Sequence, residues 1–185
     1  MRKLLLALLL SGVSLAAAAA ERAIDPKHSE IRFSVKQMGV PVEGQFRRFE
    51  ARLAFDPAKP EASRAEISVD IASVDAGSAE ADEVAVDKPW LDQAGFPRAT
   101  FRSSAVRSLG GSRYEARGTL SIRGKAREIS VPFSAQQQPD GATLLSGQFG
   151  IRRSDFGIGG GEWNESDLVA NEVPVSFRLM LAPAR

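Results

Sequence analysis

Few side chains in this sequence are able to do chemistry, and their spacing limits what each could do. His28 is the only imidazole, in Asp25-Pro26-Lys27-His28-Ser29, where an acid, a base and a hydroxyl lie close together along the chain. A nucleophilic triad needs these groups to converge in space, and adjacency in sequence does not supply that geometry. The plainer reading is a hydrogen-bonded His and Ser at the start of the first strand. Asp82, Glu83 and Asp87 offer carboxylates for acid–base work or Ca²⁺. They lack EF-hand spacing and a partner acid, and read as a solvated helix face. Gly157, Gly159, Gly160 and Gly161 lie in R-R-S-D-F-G-I-G-G-G-E-W-N-E. No Lys-Ser/Thr and no helix follows them, so a turn or bulge is expected rather than a phosphate loop. Arg152 and Arg153 beside them are candidates for the polar end of a site, meeting an anionic head group. The chain has no cysteine, which removes thiol nucleophiles, disulfides and Cys/His zinc sites. No catalytic residue, metal or cofactor is expected.

The first twenty residues belong to a different argument. Met1-Arg2-Lys3 is a basic n-region, Leu4 to Leu10 opens an apolar stretch, and Ala18-Ala19-Ala20 supplies a small-residue cleavage site before Glu21. This predicts a secretory signal peptide over 1–20, removed on export. One domain, 21–185, remains: 165 residues, enough for a full core. Arg2 and Lys3 leave with the signal, so 22 basic residues face 23 acidic ones. A chain this close to neutral carries no nucleic-acid footprint. Export permits disulfides and none can form, so packing and sheet hydrogen bonds must hold the fold.

The elements that would position any site are strands. Ile31, Phe33 and Val35 alternate with Arg32, Ser34 and Lys36; Tyr114, Ala116, Gly118, Leu120 and Ile122 alternate with charged and hydroxyl residues; Val173 to Leu181 repeats the pattern. A period of two places each apolar set on one face. Strands are expected near 30–37, 44–56, 64–74, 98–108, 112–123, 126–136, 142–153 and 171–182, joined by short turns such as Gly110-Gly111 and Pro139-Asp140-Gly141. The fold class is all-β: an antiparallel barrel of about eight strands, able to hold one small ligand. A two-sheet sandwich satisfies the same pattern. Pro132 and Pro174 fall on outward phases and predict bulges or incomplete pairing at a seam. One short helix is expected from Ser78, a capping residue, to Pro89, with Val86 and Trp90 packing together.

Phe33, Phe101, Phe133, Phe149 and Phe177 fall on inward phases and are the candidate apolar wall. Trp90 and Trp163 lie in irregular stretches and are candidates for the rim. A solid core and a lined tunnel need the same residues, and both readings stand at this point. Two rivals to a ligand container also remain: an enzyme using His28 on a lipid, and a solid β-protein that docks a partner.

Five stretches together resemble the YceI family of exported bacterial proteins: D-P-K-H-S-E-I-R-F-S-V (25–35), V-E-G-Q-F-R-R-F with A-R-L-A-F-D (42–56), W-L-D-Q-A-G-F-P-R-A-T-F (90–101), G-T-L-S-I-R-G-K-A-R-E-I-S-V-P (118–132) and R-S-D-F-G-I (153–158). They occur in family order across the mature chain. The resemblance implies a periplasmic protein with a lipocalin-like barrel whose elongated cavity binds a polyisoprenoid, an isoprenoid quinone or a similar amphiphile, without catalysis. Before the F-P-x-A-T-F element the family often carries R-x-x-H-L and a double Phe. Here the stretch reads A-D-E-V-A-V-D-K-P-W-L-D (81–92). That version resembles a subgroup associated with membrane cytochromes of the b561 type, which implies such a partner.

Overall fold

The computed structural model describes residues 19–161 and 168–183. Among them are eleven strands: β1 Glu21–Arg22, β2 Glu30–Gln37, β3 Val40–Phe46, β4 Phe49–Ala54, β5 Arg64–Asp70, β6 Val74–Asp75, β7 Arg98–Gly110, β8 Arg113–Ile122, β9 Lys125–Gln137, β10 Thr143–Arg152 and β11 Glu172–Leu181. One helix, α1, spans Ala79–Val86. All strands belong to one antiparallel sheet in the order β1-β4-β5-β7-β8-β9-β10-β11-β2-β3-β6. β3 and β4 are consecutive in the chain yet lie near opposite ends of that order. The sheet therefore curls until its two ends adjoin at residues 46–49, as in a lipocalin-like barrel.

Eleven strands replace the eight expected, for a local reason. The segment read as one strand, 44–56, breaks at Arg47 and Arg48. Its first part pairs with β2 and its second with β5. Ser73 collects the backbone groups released there, its carbonyl accepting from Arg47 N–H and its hydroxyl from Arg48 N–H, each at 3.0 Å. The two-residue strands β1 and β6 add only to the sheet's ends, on β4 and β3. Alternation is blind to such short additions, because two residues show no period.

Both prolines mark where a ladder stops. The β9–β10 pairing ends at Phe133, next to Pro132, and the β11–β2 pairing ends at Val175, next to Pro174. Neither proline has an N–H to extend the ladder. Phe156 and Ile158, from the turn after β10, are buried within the upper core cluster.

The inner face carries two cores. At the end bearing the β9–β10 connection, called the lower end, Leu53, Phe55, Tyr114, Leu145, Leu179 and Leu181 pack together. At the upper end Ile71, Ala99, Leu120, Ile122, Phe156 and Ile158 do so, with Trp90 and Leu91 against them. The outer face is laced by cross-strand ion pairs such as Arg102–Glu66 and Arg107–Glu115. Exposed pairs of this kind contribute only about 0–1 kcal/mol each.

α1 starts as the sequence indicates, with Ser78 Oγ accepting from Ala81 N–H. It ends at Val86, earlier than Pro89: Asp87 is already extended, and Lys88, the residue before the proline, is disfavoured in helical backbone. β6, which leads into α1, is held by Asp75. Its carboxylate accepts from Gln45 and Arg47 side chains, both at 2.9 Å, and from Gly77 N–H. The Gln45 bond first, then those from Arg47 and Gly77, hold the Asp75 carboxyl below the usual carboxylate range. A depressed value means that the stabilisation is complete above the unfolded-state pKa and is lost as pH falls through the folded one. The urea midpoint is therefore expected to drop on acidification below about pH 4. Asp75→Asn should make that drop shallower, leaving the share owed to Asp25, which is likewise depressed by His28 and the Lys27 N–H.

Candidate functional site

Between the two cores the barrel encloses a cavity of about 560 Å³. Phe33, Phe101, Phe133, Phe149 and Phe177 all line it. Register explains how five rings from five strands converge. Phe33 stands opposite Val175 and Gly44; Phe177 opposite Ile31 and Gly147; Phe101 between Ile67 and Leu120. Glycine opposite a ring lets it lie flat on bare backbone. A Cβ on Gly44 would fall 2.2 Å from Phe33 Cζ, and one on Gly147 would fall 2.7 Å from Phe177 Cζ. The rings are thus wall rather than filling. They remain only half-buried although they face inward, because they border open space instead of protein atoms.

At the upper end the cavity is bordered by Val84 and Ala81 of α1, by Trp90 and Leu91, and by Gln37 near the β2–β3 turn. Trp90 sits against Gly159, where a Cβ would lie 3.1 Å from its ring. Gly159 N–H donates to the Pro89 carbonyl at 2.8 Å, and Arg123 donates to the carbonyls of Lys88 and Gly157. The segment after α1 and the glycine-rich turn thus form one rim. Gly157 and Gly159 have φ of +70° and +66°, a region that favours glycine, so the run is a turn. Trp163 lies outside the described residues.

The two arginines separate. Arg152 is exposed and is not on the cavity wall. Arg153 lines the cavity but is 3% exposed. Its guanidinium donates to the carbonyls of Ile158, Gly159 and Val169, each at 2.9 Å, and to Ala170 at 3.2 Å. Burial lowers its pKa from the ordinary guanidinium value, and an arginine still stays charged. These four hydrogen bonds go to the rim itself.

Reactive groups lie elsewhere. His28 is exposed, with Nδ1 2.6 Å from Asp25 Oδ2. Ser29 Oγ donates to the Asp25 carbonyl at 2.7 Å and accepts from Met180 N–H at 2.9 Å, so it fastens β2 to β11. None of the three lines the cavity. Asp82 accepts from Ala76 N–H, bracing α1, while Glu83 and Asp87 are exposed. Among the described residues no three His, Cys, Asp or Glu side chains are grouped to hold a metal ion. Sequence reasoning passed over the aliphatic share of the wall, including Ile31, Val35, Val42, Val69, Val173 and Val175. Their inward phase was the signal, obscured by attention to aromatic rings.

The comparisons with known proteins agree with this geometry. The model of the YceI-like domain matches residues 23–181. A UPF0312 protein of Azotobacter vinelandii is 34% identical over 169 residues, covering 85% of this chain and 88% of that one. Among solved structures, Burkholderia cenocepacia BcnA is 38% identical with a TM-score of 0.83, covering 86% of this chain and 99% of its own. A polyisoprenoid binding domain from Saccharophagus degradans, implicated in plant cell wall breakdown, is 16% identical with a TM-score of 0.68, covering 88% and 98%. That last likeness speaks for the fold alone. With residues 23–181 matched, this chain belongs to the YceI family.

Proposed function

We propose that the protein is an exported, non-catalytic carrier that takes up a long-chain apolar ligand, a polyisoprenoid, isoprenoid quinone or similar amphiphile. The observation that carries this reading is the 560 Å³ cavity walled by five phenylalanines and aliphatic side chains. Apolar surface left facing space inside a barrel is stabilised only when something apolar covers it. The signal-like residues 1–20 support export to the periplasm, and the name of the Saccharophagus domain supports the ligand class. Burying a methylene contributes about 0.8 kcal/mol, so a five-carbon isoprene unit contributes roughly 4 kcal/mol before ordering costs.

Native mass spectrometry of protein purified from its own periplasm, followed by organic extraction, tests the proposal. A discrete added mass that extracts as an isoprenoid lipid is the expected result. A clean apo mass that stays apo after incubation with such lipids overturns it. That outcome would favour docking to a membrane partner, of which a b561-type cytochrome is one, through the exposed Met38, Val40 and Val84 at the upper end.

A further inference from the structure

The sheet leaves one strand edge open beside α1. β3 pairs with β2 along its whole length, from Val40↔Gln37 to Phe46↔Ile31. Its other edge meets only β6, at Gln45 and Phe46. After Asp75 the chain leaves the sheet and turns into α1, so the edge from Val40 to Gly44 carries no neighbouring strand. The cavity extends to this break, with Val42 bordering it on the β3 side and Ala81 and Val84 on the α1 side. Yet among the described residues no hydrogen bond joins α1 to β3. The helix is fastened at its two ends instead. Asp82 accepts from Ala76 N–H, and the Ala85 and Val86 carbonyls accept from Leu91 and Gln93 N–H at 3.1 and 2.9 Å. No residue of α1 is buried.

Apolar side chains are left in water on both lips of this break. Met38 and Val40 are exposed on the β3 side and Val84 on the α1 side. Exposed Leu168 joins the first lip, since its carbonyl accepts from Met38 N–H at 2.8 Å. These are four of the six large hydrophobic residues exposed among the described ones. Single exposed hydrophobics are ordinary, whereas a group gathered at one opening marks a place where something apolar is met. The far end of β5, where Ser63 and Arg64 also border the cavity, is sealed by contrast. There Ser103 Oγ accepts from Ala65 N–H at 2.8 Å, and Ser63 is buried.

We infer that the seam between β3 and α1 is the doorway by which an apolar chain enters and leaves the barrel, with α1 as its door. The inference rests on the carrier reading above. A chain crossing the seam exchanges water for Met38, Val40 and Val84 before it reaches Val42 and Phe33 inside. Passage between two paired strands would first have to break their ladder. Swinging α1 away from β3 breaks no hydrogen bond between them.

The test is a reversible tether across the seam. The chain has no cysteine, so Val40→Cys with Val84→Cys supplies the only pair of thiols. Val40 shares the phase of cavity-lining Val42 on β3. Bismaleimides of graded length, each with a reducible disulfide in its spacer, join the pair, and the product is identified by its mass. All-trans-retinol, an isoprenoid alcohol that fluoresces in apolar surroundings, is the probe, with rates read by stopped flow and Kd by titration. Tethering should slow association and dissociation alike, by about tenfold or more, and leave Kd within about threefold, because a door alters the barrier and not the bound state. Reducing the spacer should restore both rates. Asp82→Ala, which releases α1 from Ala76, should raise both rates by about threefold or more at unchanged Kd. Rates that ignore the tether overturn the inference, as does a tether that slows association alone and so weakens Kd. A pair that no spacer joins overturns it too, since the lips would not face each other. If the parent protein takes up neither retinol nor a polyprenyl alcohol, the carrier reading itself fails, and the doorway with it.

Discussion

Arg153→Ala is expected to destabilise the protein by about 4 kcal/mol or more, since hydrogen bonds to charged groups contribute about 1.5–3 kcal/mol each and buried unpaired acceptors add a penalty. Four carbonyls, of Ile158, Gly159, Val169 and Ala170, accept from this one guanidinium. Its 3% exposure leaves little water to replace them. A loss of that size is a large part of the 5–15 kcal/mol typical of a folded domain. The rim should loosen first, because the arginine is what joins the 153–159 turn to the strand bridge at Val169. Urea unfolding measures the effect, with a lower midpoint at unchanged slope as the expected form. Arg153→Lys should recover less than half of the loss, since one ammonium cannot span acceptors placed for a planar fork. A midpoint unchanged in Arg153→Ala would mean that the rim is held by other bonds.

The second large effect is on binding. Phe149→Asp should weaken uptake of a polyprenyl alcohol at least a hundredfold while the protein still folds. Phe149 is on the cavity wall, opposite Val175, and is half-buried. In the free protein water can reach a carboxylate at that position. A bound apolar chain would strip that water away, and burying an unpaired carboxylate costs several kcal/mol. Phe149→Leu keeps the wall apolar and should change affinity less than tenfold. Isothermal titration with both variants, checked by circular dichroism for folding, decides the matter. Equal binding by Phe149→Asp and the parent would place the ligand outside the barrel.

Much of this was legible in the residues themselves. Period-two alternation predicted strands whose inner faces are the ones observed, because side chains on a strand have only two directions to point. The Ser78 cap and Pro89 bounded α1 closely because both act on the backbone within one turn. The inward phase of Phe33, Phe101, Phe133, Phe149 and Phe177 followed from the same alternation. Spacing could not choose between a solid core and a cavity, since the same residues serve either.

Long-range placement decided the rest. The break at Arg47 and Arg48 depends on Ser73, which waits about twenty-five residues further on to accept both backbone groups. Arg153 and Arg152 are neighbours in sequence, yet one is buried as a rim clasp and the other faces solvent; the distinction comes from carbonyls at 158–159 and 169–170 that only folding brings around Arg153. The ring cluster of Phe55, Tyr114 and Phe133 is drawn from the residue after β4, from β8 and from β9, three separate parts of the chain. What the sequence by itself determined was the direction of each side chain, a local property of the backbone. Whether the space between opposing faces is filled depends on sheet curvature and on which residues meet across it, and only the tertiary structure settles both.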